Sequence, residues 1–552
     1  MNRTEMWALP LLVAGGAGVM DAMAASRAKT TESGPSKGQK MNVLFIIVDD
    51  MKPVSGCYGD RTAITPNIDA LAARGTLFRH NYCQQALSGP TRVSILTGLR
   101  PDNSQIWTMP RPMREVYPGI VSMPQYLRSL GYQTVGMGKI FDPRNVDQDK
   151  DSPSWSTPFM SEWSYYNPTA GKPTGGYMLP ETKKLYAQAT REAAGKGLKD
   201  RDARVYVNAH AGPSTECADV PDDAYMDGAL ARLGAATIKK LAAEADRGKP
   251  FFLAVGFRKP HLPFVAPKRY WDLYTRENMP LAEFVSKPQN SVEEAYSSYN
   301  EIVSFYDIPP LYTFCDHHQN NGIISEDKQR ELLHGYYACI SYIDTQIGMV
   351  LEALRESGAD KNTVVVLAGD HGWHLGDHGL WAKHTNFEQA ARAALIISDP
   401  RIKPSVTDQV TEFIDIFPTV CTMAGVPRAP HLDGVDLTPL MKEPTRAVNE
   451  VAVSQFNRDN NVMGYSIRDT RYRYTVWFGN NYRTTLPYDD KLVISTELYD
   501  YDKDPLETVN QAGSREYAAV RRQMHEKLLH LIAAENRTAL YHKTQRRVRT
   551  NL

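Results

Sequence analysis

Two acidic pairs that follow apolar runs are the first candidates for chemistry in this 552-residue sequence. Asp49-Asp50 follows the run Val43–Val48, and Asp370-His371 follows the run Thr363–Ala368. Continuous apolar runs of this length are typical of parallel strands buried on both faces. An Asp-Asp pair alone would indicate a turn or a helix cap. Two such clusters at equivalent strand ends instead predict a divalent metal site, because neighbouring buried carboxylates need a cation and oxygen ligands favour Ca²⁺ or Mg²⁺.

The segment that begins with Ser88-Gly89-Pro90 is predicted to open a helix. The N–H groups and the dipole at a helix N-terminus attract anions, and Arg92, one turn further on, can support that position electrostatically. Alone, Ser-x-Pro-x-Arg is a common capping pattern and a weak signal. Joined to the following Ser94–Gly98 and to the upstream acidic pair, it becomes a highly specific one.

Predicted helices and strands alternate along most of the chain, and they must position these groups. This alternation predicts an α/β fold with a mostly parallel central sheet flanked by helices. Ligands bind such sheets at the carboxyl ends of the strands, where the acidic pairs and a weaker third acid, Asp399, are expected. The helices are predicted over Thr65–Gly75, Ser122–Leu130, Asp223–Ala245 and Ser325–Ser357, the last with a bend, and the strands over Val43–Val48, Gln133–Met137, Phe251–Val255 and Thr363–Ala368.

The pattern changes near Glu450, where short strands are predicted ahead of a last helix over Ser514–Ala534. We therefore expect a catalytic domain over 41–446 and a smaller C-terminal α+β subdomain with an antiparallel sheet over 447–552. The stretch Asp149–Asp222 shows no clear period and is expected to form long surface loops, which are often functional. The C-terminal strands are predicted over Val451–Phe456, Gly464–Arg468 and Arg471–Phe478.

The N-terminus has the pattern of an export signal. Arg3, the apolar run Trp7–Met20 and Ala22-Met23-Ala24 predict a signal peptide over 1–24 and a linker over 25–40, with no stable membrane insertion. The 63 basic residues balance the 63 acidic ones, which argues against a nucleic-acid partner. Six widely spaced cysteines without a CxxC pair indicate neither a zinc site nor a disulfide scaffold.

A set of ordered motifs extends from Asn42 to about Asn510. It comprises Asn42–Asp50, Gly56–Asp60, Ser88–Arg100, Phe252–His261, Asp370–Trp373, Trp381–Lys383 and Met463–Arg468. On these motifs the sequence resembles the type I sulfatases of the alkaline phosphatase superfamily, and most closely their iduronate-2-sulfatase branch. In that family the first residue of a Cys/Ser-x-Pro-x-Arg motif is matured to formylglycine.

The resemblance implies roles for particular residues. Ca²⁺ would be bound by the matured Ser88 side chain together with Asp49, Asp50, Asp370 and His371. His371 stands where sulfatases more often carry Asn, so its place as an inner ligand stays open. His261 is the best candidate for the general acid. Charge on the sulfate oxygens would be stabilised by Arg92, Lys139, Lys259 and Lys383.

The chemistry of a sulfate ester explains why a modified serine is needed. A plain serine would form a stable sulfated enzyme, whereas a formylglycine hydrate attacks with one hydroxyl and expels sulfate when the other is deprotonated. The family's usual histidine beyond Lys139 is missing, because Asp142 stands in its place. The base is therefore open between Asp142, a water and another histidine.

The predicted activity is removal of sulfate from sulfated oligosaccharides, with the 2-O-sulfate of a uronic acid in heparin or heparan-type fragments as the expected substrate. The serine at position 88 implies a bacterial serine-type formylglycine-generating radical maturase as partner, and a periplasmic or secreted destination. Three alternatives are a sulfatase for another saccharide, a metal-dependent phosphatase or phosphodiesterase of the same superfamily, and an inactive glycan-binding protein.

Overall fold

A computed structural model describes residues 40–147, 150–161, 166–297, 301–309, 324–458, 461–479 and 489–532. The predicted signal peptide, nearly all of the predicted linker and the last two residues of the predicted C-terminal helix lie outside these residues. Within them, no helix combines the length and the apolar character that a membrane span requires.

A seven-stranded sheet forms the centre of the molecule, in the order β3-β5-β1-β7-β8-β2-β9. Only β8 runs antiparallel to its neighbours. The predicted α/β class with a mostly parallel sheet is confirmed. The strands of this sheet are β1 Asn42–Val48, β2 Thr76–Tyr82, β3 Gln133–Gly138, β5 Phe251–Phe257, β7 Thr363–Gly369, β8 Leu395–Ser398 and β9 Ser405–Glu412, and a small separate sheet pairs β4 Thr215–Ala218 with β6 Phe264–Pro267.

The apolar run of β1 separates two hydrophobic cores. Leu44, Ile46 and Val48 face one core, and Phe45 and Ile47 face the other, with every side chain fully buried. This alternation follows from the two-residue period of a strand. β1 lies in the middle of the sheet, where it pairs with β5 on one side and with β7 on the other.

Helices cover both faces of the sheet. The long helix near the middle of the chain runs continuously from Glu326 to Glu356, and it packs with the helix Met226–Ala245 against one face. The helices are α1 Pro66–Ala72, α2 Ser88–Thr97, α3 Pro101–Ser104, α4 Met113–Val116, α5 Met123–Ser129, α6 Pro180–Gly195, α7 Asp200–Ala211, α8 Met226–Ala245, α9 Lys268–Trp271, α10 Glu326–Glu356, α11 Glu388–Ala391, α12 Ile416–Ala424, α13 Thr438–Lys442 and α14 518–532.

The C-terminal part forms an antiparallel sheet, as predicted. Its four strands follow one another as neighbours, β10 Ala452–Arg458, β11 Val462–Arg468, β12 Tyr472–Phe478 and β13 Val493–Asp500. Met524 and Leu528 of α14 pack into the same apolar cluster as Met463 and Val476 of the sheet.

Two expectations are wrong. The stretch Asp149–Asp222 contains α6, α7 and β4 and is not simply long loops. Asp399 follows β8, which runs opposite to β7, so it lies at the edge of the sheet away from the acidic pairs. An apolar run reveals a strand but not its direction.

Close approach between β3 and β5 requires a glycine at position 256. A Cβ atom there would lie 2.2 Å from the carbonyl oxygen of Lys139. We expect Gly256→Ala to lower the free energy of unfolding by roughly 1–3 kcal/mol, because the backbone beside Lys139 must move. Gly195→Ala, at an open position in α6, should raise it by up to about 1 kcal/mol. Guanidinium unfolding curves measure both, and equal midpoints for the two variants would contradict the packing argument.

Candidate active site

A left-handed backbone conformation at Asp50 lets both acids after β1 face the same cluster. Successive strand side chains point to opposite faces, but Asp50 adopts a left-handed conformation with φ of 58°. Its N–H donates to Oδ1 of Asp370 at 3.0 Å, which ties the end of β1 to the end of β7. Asp49 and Asp50 therefore both contribute to one cluster at the carboxyl edge of the sheet.

The predicted metal ligands come together. One ligand atom from each residue of a buried group lies within 4.8 Å of all the others. Hard carboxylate oxygens with one imidazole nitrogen fit a divalent cation. The group consists of Asp49, Asp50, Asp370 and His371.

The protonation of this cluster also fits a cation. Burial raises the pKa of Asp50 well above its usual value, and the carboxylates of Asp49, Glu301 and Asp370 raise it further, against the opposing effect of Lys383. Burial alone would raise the pKa of Asp49 as well, but Lys139, His261, Arg92 and Lys383 outweigh it and lower that pKa. A carboxylate crowded by others in a buried site is stabilised in its ionised form by a bound cation.

His371 presents an unprotonated nitrogen to the cluster. Its Nδ1 lies 2.9 Å from the carbonyl oxygen of Gly372, which can only accept, so we assign the proton to Nδ1. Burial lowers the pKa of His371 to about 4, so the ring is neutral at physiological pH. Nε2 then carries a lone pair and faces Oγ of Ser88 at 3.2 Å.

Ser88 is the first residue of α2 and is almost completely buried. Its hydroxyl donates to Oδ1 of Asp49 at 3.1 Å. The predicted helix start is therefore observed, and the N-terminus of α2 carries the serine into the acidic cluster. The side chain lies where an anion would meet both the helix dipole and a bound cation.

Arg92 donates hydrogen bonds to two carboxylates of the acidic cluster. Its Nε donates to Asp370 at 3.0 Å and its Nη2 donates to Asp49 at 3.1 Å, while Nη1 donates to the carbonyl oxygens of Lys139 and Ile140. The side chain is fully buried. Its guanidinium thus fixes the carboxylates and the chain after β3, and this is a positioning role.

Two lysines lie against the acidic pair. Nζ of Lys139 donates to Asp49, and Nζ of Lys383 donates to Asp50 at 2.8 Å and contacts Glu301 at 3.1 Å. Burial opposes the charge of Lys383, but Asp50 and Glu301 outweigh it and raise its pKa. The Lys383 ammonium therefore stays charged against Asp50 and Glu301.

His261 faces the same cluster. Its Nδ1 lies 2.8 Å from the carbonyl oxygen of Leu262, and its Nε2 lies 3.3 Å from Glu301 and 4.0 Å from Asp50. Burial and Lys383 lower the pKa of His261, whereas Glu301 and Asp49 raise it. Together these effects leave the pKa of His261 well below its usual value. The carbonyl oxygen can only accept, so the neutral ring carries its proton on Nδ1, and Nε2 carries one as well only when the ring is protonated.

Lys259 does not join the cluster, which corrects the sequence-based expectation. Its ammonium donates to the carbonyl oxygens of His261 and Pro263, both at 2.6 Å. The carboxylate of Asp227 in α8 accepts from the backbone N–H groups of Arg258 and Lys259 at 2.9 Å each. Lys259 thus holds the loop that carries His261.

Asp142, which stands at the usual histidine position, is not placed to act as a base. Both of its oxygens accept from Arg144, at 2.8 Å each. Burial would raise the pKa of Asp142, but Arg144 and Lys139 outweigh it and hold that pKa below its usual range. The side chain is an ionised partner of an arginine, and its weak basicity makes it a poor proton acceptor.

Glu301 is a residue of the site that the sequence does not reveal. It contacts both Lys383 and His261, and its side chain is 20% exposed. It is the first residue of a short 3₁₀ helix, Glu301–Ser304, with no family motif around it. Only the folded arrangement brings it to the acidic pair.

The arginines of the C-terminal sheet are engaged in ion pairs. Arg473 pairs with Glu388 at 2.6 Å, Arg468 lies 3.6 Å from the same carboxylate, and Arg471 pairs with Asp500 at 2.7 Å. His374 and His378 are buried, and their Nε2 atoms lie 2.9 Å from the hydroxyl of Thr385 and 3.0 Å from the carbonyl oxygen of Leu506. We interpret all five as structural residues.

The fold and the acidic cluster at its carboxyl edge define an alkaline phosphatase-like hydrolase. Residues 41–426 match the sulfatase family, and residues 376–534 match the family described as N-sulphoglucosamine sulphohydrolase, C-terminal. The chain therefore belongs to the sulfatase family, whose members hydrolyse sulfate esters, as the sequence motifs predict.

Among known proteins, the chain is 32% identical to iduronate 2-sulfatase of Mus musculus, over 87% of this chain and 92% of that protein. A phosphonate monoester hydrolase of Agrobacterium radiobacter has a similar structure, with a TM-score of 0.65 and 25% identity over 90% of this chain and 96% of that chain. A structure described as a 2-O GAG sulfatase has a TM-score of 0.61 at 19% identity, over 90% and 93% of the two chains.

Metal binding can be tested with an isosteric substitution. Asp50→Asn keeps the shape of the side chain, and Asn tolerates the left-handed backbone. We expect it to weaken Ca²⁺ binding on the order of 100-fold, because affinity follows the number of charged ligands. Isothermal titration calorimetry measures this change, and added Ca²⁺ should raise the melting temperature of the unsubstituted protein but not that of Asp50→Asn. Asp408→Asn, at a side chain that is 65% exposed, is the matched control, and equal affinities for the two variants would exclude the cluster as the metal site.

Proposed function

We propose that this protein is a Ca²⁺-dependent sulfuric ester hydrolase that removes the 2-O-sulfate of a uronic acid in heparin or heparan-type fragments, with a formylglycine made from Ser88. The observation that carries the proposal is the position of Ser88. Its Oγ lies 3.1 Å from Asp49 and 3.2 Å from His371, inside a buried set of metal-ligating atoms and at a helix N-terminus.

A formylglycine hydrate can release the bound sulfate, which a plain serine cannot do. Oxidation of the Ser88 alcohol to an aldehyde removes two electrons and two protons, and water then adds to give a hydrate with two hydroxyls. One oxygen attacks the sulfur, and the bond between sulfur and the sugar oxygen breaks. The second hydroxyl then loses its proton, the bond between carbon and the sulfated oxygen breaks, and inorganic sulfate leaves as the aldehyde reforms.

The cationic side chains are arranged to stabilise an anionic substrate. Lys139 and Lys383 are held on different members of the acidic pair, Asp49 and Asp50, and the Ser88 hydroxyl donates to the first of these. Preorganised charges in a site shielded from water stabilise charge that develops on the sulfate oxygens. Arg92 contributes by fixing Asp49 and Asp370 and by its own charge. When bound by the acidic cluster, Ca²⁺ would polarise the nucleophile and neutralise negative charge.

His261 is placed to protonate the departing sugar oxygen. Its Nε2 is directed into the site, and its Nδ1 is fixed by the Leu262 carbonyl. The contact with Glu301 at 3.3 Å stabilises the protonated ring, which offsets part of the effect of burial. As the general acid, His261 must take up a second proton at Nε2 before the sugar oxygen leaves.

The substrate part of the proposal draws on the relatives. The chain is 32% identical to iduronate 2-sulfatase of Mus musculus over 87% of its length, which supports a uronate 2-O-sulfate as the substrate. The proposal also includes export to the periplasm or the exterior, after a serine-type radical maturase has oxidised Ser88. The substrate that the exported protein binds is then a sulfated oligosaccharide.

Hydrolysis of a phosphate or phosphonate monoester is the second candidate. The structural similarity to a phosphonate monoester hydrolase favours it, at 25% identity over most of both chains. A second metal site rich in Asp and His would support it. Among the described residues, the further group of ligand atoms is Asp50, His261 and Glu301, which shares Asp50 with the first group and surrounds Lys383. One metal with lysines beside it is better suited to sulfate.

The state of Ser88 gives a direct test of the mechanism. Mass spectrometry of the peptide that carries Ser88, from protein produced with a serine-type maturase, should show a loss of about 2 Da or its hydrate, from the oxidation described above. Ser88→Ala should reduce kcat at least about 10³-fold, because the covalent route is lost. Thr97→Ala, in the last turn of the same helix, is the control. Full activity with an unmodified serine would refute the mechanism.

The substrate can be tested with defined sulfated sugars. We expect sulfate release from a 2-O-sulfated uronate disaccharide to exceed release from a 6-O-sulfated glucosamine by at least about 100-fold in kcat/KM, because the site must bind both the ester and the sugar that carries it. Ion chromatography of free sulfate measures both. An aryl phosphate and an aryl phosphonate form the second arm. Preference for glucosamine would refute the substrate, and preference for the phosphorus esters would favour the second candidate.

A further inference from the structure

Arg144 is an exposed guanidinium held by a buried carboxylate close to the active site. Its Nε and Nη2 each donate to Asp142 at 2.8 Å, and the backbone N–H of Arg144 also donates to Asp142 at 3.0 Å. Asp142 is buried, whereas the side chain of Arg144 is 44% exposed. A bidentate pair of this kind fixes the direction of the guanidinium.

The same tripeptide occurs a second time at the opposite edge of the sheet. Asp399-Pro400-Arg401 repeats Asp142-Pro143-Arg144 in sequence. Nε of Arg401 donates to Asp399 at 2.9 Å, Nη2 donates at 2.6 Å, and the side chain is 39% exposed. The local geometry is therefore a general property of the tripeptide, and only its place in the fold differs.

The two arginines differ in how many of their guanidinium N–H groups already have a partner. Nη2 of Arg401 also donates to the carbonyl oxygen of Met423 at 2.7 Å. Among the described residues, the side-chain bonds of Arg144 go to Asp142 alone. Since a guanidinium has five N–H groups, Arg144 keeps several donors for a ligand.

The chain that carries Arg144 is packed on the nucleophile. It leaves β3 at Lys139, whose ammonium contacts Asp49, and Arg92 donates to the carbonyl oxygen of Ile140 at 3.2 Å. Further on, Asn145 lies against Gly89, the residue after the serine, where a Cβ atom would meet its Oδ1 at 1.9 Å. Arg144 stands between these two contacts, on the exposed side of the chain.

We propose that Arg144 is a specificity-determining residue, which buried Asp142 holds at the rim of the active site to bind an anionic group of the substrate other than the sulfate being cleaved. The group is a carboxylate or a second sulfate on the same saccharide. The proposal rests on the proposed function, because it presumes a sulfated sugar at Ser88.

The location of charge supports a binding role at the rim. The charges of Asp142, Glu301 and Asp49 raise the pKa of Arg144, although burial acts against them. The guanidinium is thus within the electrostatic reach of the active-site acids. Asp142 neutralises much of its charge, and the ester is already surrounded by Lys139 and Lys383. A rigid guanidinium with partly neutralised charge is suited to recognising a planar carboxylate or a sulfate by geometry.

Paired substrates and paired variants test the proposal. The substrates are a 2-O-sulfated uronate disaccharide, its carboxyl-reduced counterpart, and both again with a second sulfate on the neighbouring glucosamine. We expect Arg144→Ala to lower kcat/KM roughly 10- to 100-fold, mainly through KM, on substrates with the recognised anion. Arg144→Lys should lose less. Arg401→Ala, which leaves the same kind of buried aspartate unpaired, should change kcat/KM less than about 2-fold.

The pattern of loss identifies the anion. A loss that disappears with carboxyl reduction assigns the carboxylate, and a loss that requires the second sulfate assigns that sulfate. An equal loss on all four substrates, or no loss on any of them, overturns the proposal. Calorimetric titration of the same sugars into Ser88→Ala, with and without Arg144→Ala, gives the affinities without turnover. An unsubstituted protein that binds these sugars through Arg144 but releases no sulfate would refute the proposed function and not this inference.

Discussion

The structure depends on how four carboxylates can be kept together in a buried site. Asp49, Asp50, Asp370 and Glu301 converge where the dielectric is low and repulsion between like charges is strong. Arg92, Lys139 and Lys383 each lie on one or two of them, and a bound cation would complete the compensation. The pKa of Asp50 is raised despite the Lys383 ammonium, because burial and the neighbouring carboxylates outweigh it.

The parallel sheet turns this electrostatic requirement into a defined geometry. β1 and β7 end side by side, so their acids meet without long loops. β3 and β5 lie on the other side of β1, and they deliver Lys139 and the loop of His261 to the same edge. The serine arrives on a helix together with Arg92, and the N-terminus of that helix adds a positive partial charge at the point where an anion would react.

Much of this could be predicted from the sequence because the central strands are apolar on both faces. The runs of β1 and β7 located the acids, and the parallel class followed from the alternation with helices. The helices α6 and α7 were not predicted because their buried faces consist mainly of alanine. Ala189 and Ala193, four residues apart, pack against Val207 and Ala211, a pattern that an analysis based on large apolar residues does not register.

The site residues likewise divide into those that the local sequence marks and those that it does not. Positions that follow a strand or begin a helix, such as Ser88 and Asp370, are marked by local sequence. Glu301 is marked by none, since its contacts with His261 and Lys383 join segments 40 and 82 residues away along the chain. The role of Lys259 was also beyond prediction, because its position in a motif does not say which way its ammonium points. Long-range contacts and side-chain direction are properties of the folded chain.

The replacement of a histidine by Asp142 leaves one proton to be placed. Asp142 is committed to Arg144, so the second hydroxyl of a formylglycine hydrate cannot depend on it. Among the described histidines, His371 has an unprotonated nitrogen within 3.2 Å of Ser88 Oγ. That nitrogen has a single lone pair, because Nδ1 donates to Gly372. If Nε2 ligates a cation it cannot accept the proton, and a water or His261, once it has protonated the sugar oxygen, must do so; if it accepts the proton, the cation is held by oxygen ligands alone. The two roles of His371 are therefore mutually exclusive, and the choice between them fixes both the metal's ligand set and whether His371 is the base.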